Sequence, residues 1–267
     1  MEKKKILYIS NEIKPFVGES EMSSSCRTML LNMQDAGHEL RAFMPKWGPI
    51  NERRNQLHEV IRLSGMNIII DDTDHPLIIK VASMPSARLQ VYFIDNDDYF
   101  QNRLIEADKN GVEYQDNDER TIFFARGVLE TVKKLRWNPD IIHCHGWLAS
   151  LIPTYIKTAY KEEPAFRDSK VVMSVYGNEL KEPFRDSYQE FIITKDMQPG
   201  DAGQFASPFT FSEVIKKAID FSDGVVISPD ESVKELKEYA LGAGKTLIDG
   251  DEAKNSESIE KFYNSLF

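Results

Sequence analysis

One short stretch, Asn138–Trp147, limits the possible folds of this chain more than any other. It opens on Pro139 and Asp140, continues through an apolar pair and alternating polar residues, and ends in a glycine turn before an apolar run over residues 148–160. A short buried strand that passes through a glycine turn into a helix is typical of open, largely parallel sheets. Ligands bind such sheets at the carboxyl ends of the strands. The stretch therefore predicts an α/β fold with a ligand site close to its end.

Two histidines near the end of that strand are the first candidate site residues. His143 and His145 are two positions apart, so their side chains point to the same face of the strand. They are either hydrogen-bonded packing residues at the top of the strand or part of a ligand site, and both interpretations stay open. A zinc site that includes Cys144 is disfavoured, because Cys144 should face away from both histidines. We therefore predict neither a metal ion nor a cofactor.

The rest of the chain alternates strands and helices in the manner of a Rossmann-like parallel sheet flanked by helices. Buried apolar runs predict the strands, and apolar faces with helical spacing predict the helices. The predicted strands lie at residues 5–10, 38–45, 170–176 and 224–229, and the predicted helices at 22–34, 118–135, 211–221 and 230–241. The first strand, helix and strand form a βαβ unit, whose crossover should be right-handed.

Residues 50–100 interrupt this alternation. Short apolar runs at 59–63, 67–70, 76–81 and 89–94, separated by turn residues, predict a β-hairpin elaboration of the sheet. His58 and His75 lie in or beside the turns, and we predict that both are at the surface. We predict one Rossmann-like domain over residues 1–247, followed by a tail over 248–267. The tail contains an amphipathic helix, Glu257–Phe267, which should dock on the domain.

Composition narrows the classes of partner. The chain has a net charge of −10 and a pI near 5.1, which argues against nucleic acid and anionic membranes as partners. Cys26 and Cys144 give no disulfide framework, as expected in a reducing compartment. The apolar run near the amino terminus is too short for a signal peptide, and none approaches the roughly 18 residues that span a bilayer. We expect a cytoplasmic protein.

Two segments have a superficial likeness to phosphate-binding loops. The loop at residues 18–25 precedes the first predicted helix, but it has one glycine and places Glu19 and Glu21 where an anion would sit. Gly242–Thr246 follows a helix instead of a strand, and Tyr239 occupies the position of the first P-loop glycine. We interpret the first loop as a poor phosphate cradle and the second as the turn that ends a helix.

Four blocks in order carry a resemblance to a known family. They are residues 4–16 (KKILYISNEIKPF), 116–130 (DNDERTIFFARGVLE), 138–147 (NPDIIHCHGW) and 225–229 (VVISP), the last followed by a helix. Over residues 3–240 the chain resembles the N-terminal half of bacterial glycogen synthases and plant starch synthases. The resemblance implies a GT-B architecture, in which two Rossmann-like domains face a cleft. It also implies transfer of glucose from ADP-glucose to the 4-OH end of an α-1,4-glucan.

The chain departs from the family motifs at three places. The family's Lys-x-Gly-Gly loop near the donor phosphates corresponds here to Gly18, Ser20 and Glu21. Its His-x-His-Asp-Trp-His motif becomes residues 143–148 (HCHGWL), and its Thr-Val-His-Asn motif becomes residues 174–177 (SVYG). The family's C-terminal domain, which neutralises the diphosphate, also has no counterpart in this sequence. Because a leaving diphosphate needs such groups, we do not expect this chain to transfer glucose alone.

Two hypotheses follow from the resemblance. In the first, the chain is a catalytically impaired, single-domain homologue that binds an α-glucan or a protein partner. In the second, it is a glucosyltransferase that binds ADP-glucose and is completed by a separate nucleotide-binding domain or by a homodimer. We assign no catalytic residue. The candidate substrate-binding residues are Glu12, Gly18, His143, His145, Trp147, Tyr176 and Asn178. Trp147 is large enough to stack on a sugar, although a packing role after the strand is the simpler interpretation.

Overall fold

A computed structural model describes residues 3–85, 87, 89–177, 180–197, 200–201 and 207–267. The strands are β1 Lys5–Ser10, β2 Glu39–Pro45, β3 His58–Glu59, β4 Met66–Ile70, β5 Thr73–Ser83, β6 Gln90–Asp95, β7 Ile141–His145, β8 Lys170–Val175, β9 Gly224–Ile227 and β10 Thr246–Asp249. The helices are α1 Glu21–Asp35, α2 Glu52–Asn55, α3 Asn117–Leu135, α4 Leu151–Lys157, α5 Tyr188–Phe191, α6 Phe211–Asp220, α7 Lys234–Gly242, α8 Gly250–Ala253 and α9 Ser256–Asn264. Within these residues, no helix combines the length and the apolar character needed to cross a bilayer.

The strands form one sheet in the order β10-β9-β8-β7-β1-β2-β6-β5-β3, and β4 pairs with β5. Neighbouring strands from β10 to β6 are parallel, whereas the β3, β4 and β5 pairings are antiparallel. Residues 6–9 of β1 have 0% of their surface exposed, so both faces of this central strand are covered. The predicted α/β class, with a parallel sheet and a hairpin elaboration, is confirmed.

One strand prediction is wrong, and one strand of the structure was not predicted. The apolar run at residues 59–63 belongs to a strand only at its start, because the Leu63 N–H donates to the Val60 carbonyl (2.9 Å) and closes a turn. The sequence pattern also fails to predict β10, which pairs in parallel with β9 at the edge of the sheet. The interpretation of Gly242–Thr246 as the turn that ends a helix is confirmed as far as residue 245: α7 ends at Gly242, Gly244 has a φ of +68°, and Thr246 begins β10.

His75 is buried, so the prediction that it lies at the surface is wrong. It occupies an inward-facing position of β5, and its Nε2 lies 3.0 Å from the Tyr99 hydroxyl. The error arises because a strand with alternating exposure buries every second residue, whatever its polarity. His58 is exposed, as predicted.

The tail continues the sheet and then packs against it. Residue 247, the predicted limit of the domain, lies inside β10. The last helix, α9, lies against α1 and buries Ile259, Phe262 and Tyr263. A Cβ at Gly224 of β9 would lie 2.8 Å from the tip of the Phe262 ring. Glycine at this position therefore lets α9 approach the sheet closely.

Candidate functional site

The loop that leaves β1 holds a buried carboxylate next to the start of α1. Ser20 is the N-cap of α1 and accepts from the Ser23 N–H (3.0 Å), while its own Oγ donates to Glu12 Oε2 (2.9 Å). Burial raises the pKa of the Glu12 carboxyl; the Ser20 hydrogen bond opposes this rise, and the charge of Glu106 adds to it. The positive end of the α1 helix dipole thus already has a carboxyl group of the same chain beside it.

A cavity of about 440 Å³ opens beside this loop at the carboxyl ends of the strands. It is lined by Phe16, Val17, Gly18, Trp47, Pro49, Leu104, Ile105, Glu106 and Ala107. The Trp47 indole N–H donates to the Asn11 carbonyl (2.6 Å), which fixes the buried ring against the β1 loop. The lining residues that the structure describes are apolar apart from Glu106, and they include no lysine or arginine. The cavity therefore offers apolar contact and one acidic group.

Residues 104–107 form one wall of the cavity, and a buried arginine that was not among the predicted site residues fixes this wall by hydrogen bonds. Arg120 of α3 has 0% of its surface exposed. Its guanidinium donates to the carbonyls of Leu104 (3.0 Å) and Ile105 (2.7 Å) and lies 4.9 Å from the Trp47 ring centre. Burial lowers the pKa of Arg120 to about 9, with a further contribution from the nearby charge of Arg103. No sequence signal distinguishes Arg120, which lies between Glu119 and Thr121, from the other basic residues of α3.

The two strand-end histidines lie in a buried cluster of aromatic and hydroxyl side chains. His143 and His145 have 0% of their surface exposed, and their ring centres are 4.1 Å apart. His143 Nδ1 lies 2.7 Å from the hydroxyl of Tyr263 in α9, and its Nε2 lies 2.7 Å from Ser174 Oγ. His145 Nδ1 lies 2.9 Å from the Tyr176 hydroxyl. These are contacts of packing residues, and a role in ligand binding stays a prediction.

Burial also decides the charge of these histidines. It lowers the pKa of His145 to about 3 and the pKa of His143 well below its ordinary value, so both are neutral at pH 7. Cys144 alternates with them along β7, as predicted. Across the described part of the chain, no group of three His, Cys, Asp or Glu side chains has an arrangement that could hold a metal ion.

The other candidate residues occupy different places. Gly18 lines the cavity, and Glu12 lies beside it. Trp147 is 1% exposed and packs near Phe184, with ring centres 6.4 Å apart. Asn178 lies outside the described residues. The structure thus separates the candidates into an open cavity near the β1 loop and a buried cluster beneath the ends of β7 and β8.

Together, the parallel sheet and its strand-end cavity define a Rossmann-like α/β domain with a candidate ligand site. The chain belongs to the starch synthase catalytic domain family, whose sequence model matches residues 5–247. The predicted membership of the glycogen and starch synthase family is therefore confirmed.

Individual relatives show the same relationship. The chain is 42% identical over 174 residues to a glycogen synthase of Chlorobium limicola. The aligned region covers 65% of this chain and 36% of that protein. The chain is 34% identical over 223 residues to a glycogen synthase of Chlorobaculum tepidum, covering 81% and 46%. A solved structure, the catalytic domain of starch synthase IV from Arabidopsis thaliana bound to ADP and acarbose, shares the fold. It has a TM-score of 0.74 at 18% identity and covers 93% of this chain and 51% of that one. The chain thus spans from 36% to 51% of the length of these relatives.

Proposed function

We propose that this domain binds an α-glucan in the cavity beside the β1 loop and does not by itself transfer glucose from ADP-glucose. The observation that carries the proposal is the character of that cavity, which combines apolar walls with the carboxylate of Glu106. Its volume of about 440 Å³ is within the range of small-ligand sites. A glucose unit is neutral, presents apolar C–H faces to such walls, and offers hydroxyl protons to a carboxylate.

The start of α1 is poorly suited to the diphosphate of a sugar nucleotide. Ser20 Oγ is bound to Glu12, and Glu21 Oε2 accepts from Ser228 Oγ (2.9 Å). A phosphate at this helix end would meet both carboxylates. At an effective dielectric constant of 20, two like charges 4 Å apart repel by about 4 kcal/mol. Membership of the family supports both glucan and ADP-glucose as ligands, and these carboxylates favour the glucan.

Calorimetric titration with maltoheptaose, and separately with ADP-glucose, tests the proposal. We expect maltoheptaose to bind and ADP-glucose to give no signal. Glu106→Gln should weaken maltoheptaose binding about tenfold or more, because a charge-assisted hydrogen bond contributes about 1.5–3 kcal/mol. Glu162→Gln is the matched control, because Glu162 is exposed and does not line the cavity. This control should bind like the parent chain.

Other outcomes would contradict the proposal in different ways. Micromolar binding of ADP-glucose would favour the second hypothesis, in which a separate nucleotide-binding domain or a homodimer completes a glucosyltransferase. Binding of neither ligand would favour a domain that contacts a protein partner. Maltoheptaose binding that Glu106→Gln leaves unchanged would place the glucan outside this cavity.

A further inference from the structure

A second cavity lies at the opposite end of β2 from the cavity beside the β1 loop, and we call it the Arg41 cavity. It has a volume of about 460 Å³. Its lining includes side chains of three strands, namely Glu39 and Arg41 of β2, Ser83 of β5, Gln90 and Tyr92 of β6, and the adjoining Leu89. The cavity beside the β1 loop is reached by Trp47, which follows the other end of β2. The two cavities are therefore separate sites.

Aromatic rings hold the guanidinium of Arg41 in place. Its central carbon lies 5.0 Å from the centre of the Trp137 ring and 5.9 Å from the centre of the Tyr92 ring. The Trp137 indole N–H in turn donates to Glu39 Oε1 (2.6 Å), which fixes the orientation of that ring. Arg41 therefore has a defined position before any ligand binds. Such preorganisation lowers the entropic cost of binding.

Arg41 has hydrogen-bond donors that the described part of the chain does not use. Its Nη1 is shielded from solvent and has no hydrogen-bond partner among the described residues, and none of their carboxylates pairs with it. Aromatic faces attract a cation, but they do not replace an acceptor oxygen. Because a buried charged donor is costly without an acceptor, an anion in this cavity would satisfy Arg41.

The set of donors around the Arg41 cavity favours a phosphate group over a carboxylate. A guanidinium binds two oxygens of either group through parallel hydrogen bonds. The Ser83 hydroxyl and the Gln90 side-chain amide line the same cavity from two other strands and are donors as well. A phosphate group has a third oxygen for these donors, whereas both oxygens of a carboxylate are used by the guanidinium. Glu39 also lines the cavity, and its charge limits the affinity for any anion.

We propose that the Arg41 cavity is a binding site for a phosphate group. Arg41 forms the paired hydrogen bonds, and Ser83 and Gln90 donate to the remaining oxygen. The chain has a net charge of −10, which repels anions in general, so the contact with Arg41 must supply the affinity, and we expect a millimolar Kd. The site is separate from the proposed glucan cavity and does not depend on the proposed function.

An NMR titration of the full chain with inorganic phosphate tests the proposal, with sodium chloride added to keep the ionic strength constant. The Kd is obtained from the backbone amide signals of β2 and β6. Arg41→Met keeps an aliphatic side chain between the two rings and removes the guanidinium, so it should weaken phosphate binding about tenfold or more. Arg167→Met is the control, because Arg167 is exposed and forms its ion pair with Asp168 (3.3 Å), outside this cavity. It should bind phosphate like the parent chain.

Two further variants test the charges at the site. Glu39→Gln removes the repelling charge and keeps an oxygen for the Trp137 N–H, so it should tighten phosphate binding about threefold or more. Arg41→Lys keeps the positive charge without the paired donors, so it should weaken phosphate binding about threefold. Arg41→Lys also provides the measurement if Arg41→Met does not fold.

The same titration with other anions tests the choice of phosphate. Acetate should bind about tenfold more weakly than phosphate, because it has no third oxygen for Ser83 and Gln90. Methyl phosphate distinguishes the two sources of a phosphate group: it should bind if the site takes a phosphate monoester and fail to bind if the site takes only the free ion. No phosphate binding by the parent chain would overturn the proposal, as would acetate binding as tight as that of phosphate. Equal phosphate binding by the parent and a folded Arg41→Met or Arg41→Lys chain would also overturn it.

Discussion

Mild acid should destabilise this protein because two neutral histidines are buried in β7, a central strand of its sheet. The pKa of His145 is about 3 in the folded chain, whereas a histidine in an unfolded chain titrates near 6.5. Below about pH 6.5 the unfolded chain therefore binds a proton that the folded chain does not bind, and stability falls as the pH falls. Each pH unit in this window corresponds to about 1.4 kcal/mol. His145 alone should thus lower the free energy of unfolding by about 2 kcal/mol between pH 7 and pH 5.

Two other buried groups affect the size of this change. The pKa of His143 is also well below its ordinary value, so His143 adds to the loss of stability in acid. Glu12 acts in the opposite direction, because burial raises its pKa and its protonation favours the folded chain as the pH falls. A comparison of variants is therefore needed to isolate the contribution of His145.

Urea unfolding at about pH 7 and about pH 5 provides that comparison. The change in unfolding free energy between the two pH values should be about 2 kcal/mol smaller in His145→Gln than in the parent chain. His58→Gln is the matched control, because His58 is an exposed histidine. Equal pH dependence in His145→Gln and the parent chain would show that His145 is not held neutral by burial, and the reasoning would fail.

Three stability predictions follow from close contacts near the cavity, each measured by urea unfolding. Gly48→Ala should lower the free energy of unfolding by about 3 kcal/mol, because the new Cβ would lie 2.6–2.8 Å from backbone atoms of residues 102–103. Gly242→Ala is its control and should leave the free energy of unfolding almost unchanged, because there is open space around the new Cβ. Arg120→Met should cost about 3 kcal/mol, because two buried carbonyls of the cavity wall lose their donor. Ser20→Ala should cost about 1–2 kcal/mol through the lost cap of α1 and further raise the pKa of the carboxyl that it binds. A loss under about 0.5 kcal/mol in any of the three would contradict the corresponding contact.

The sequence was sufficient to predict elements whose character is local. The apolar run of β1 and the amphipathic pattern of α3 each appear in consecutive residues, and the structure places both as predicted. β10 is different, because Thr246–Asp249 is short and mixed in polarity and becomes a strand through pairing with β9. A local sequence pattern does not predict such a pairing.

The residues of the candidate site could also be predicted only in part from the sequence. Gly18 could be placed near a ligand site because it follows the first strand. Trp47 and Glu106 reach the same cavity from loops that are distant in the sequence, and no periodicity connects them. The contact between His143 and Tyr263 joins residues 120 positions apart. Only the three-dimensional fold brings these residues together.

The short strand β10 also protects the sheet from unwanted association. It pairs along β9, whose residues Gly224–Ile227 are all buried, and among the described residues it is the last strand on that side. A chain cut after residue 247 would lose half of β10 and leave β9 with unpaired backbone N–H and C=O groups along an apolar strand. Such an edge recruits strands from other molecules and promotes aggregation. We therefore expect the segment from residue 246 onward to limit aggregation, in addition to carrying the helix that contacts His143.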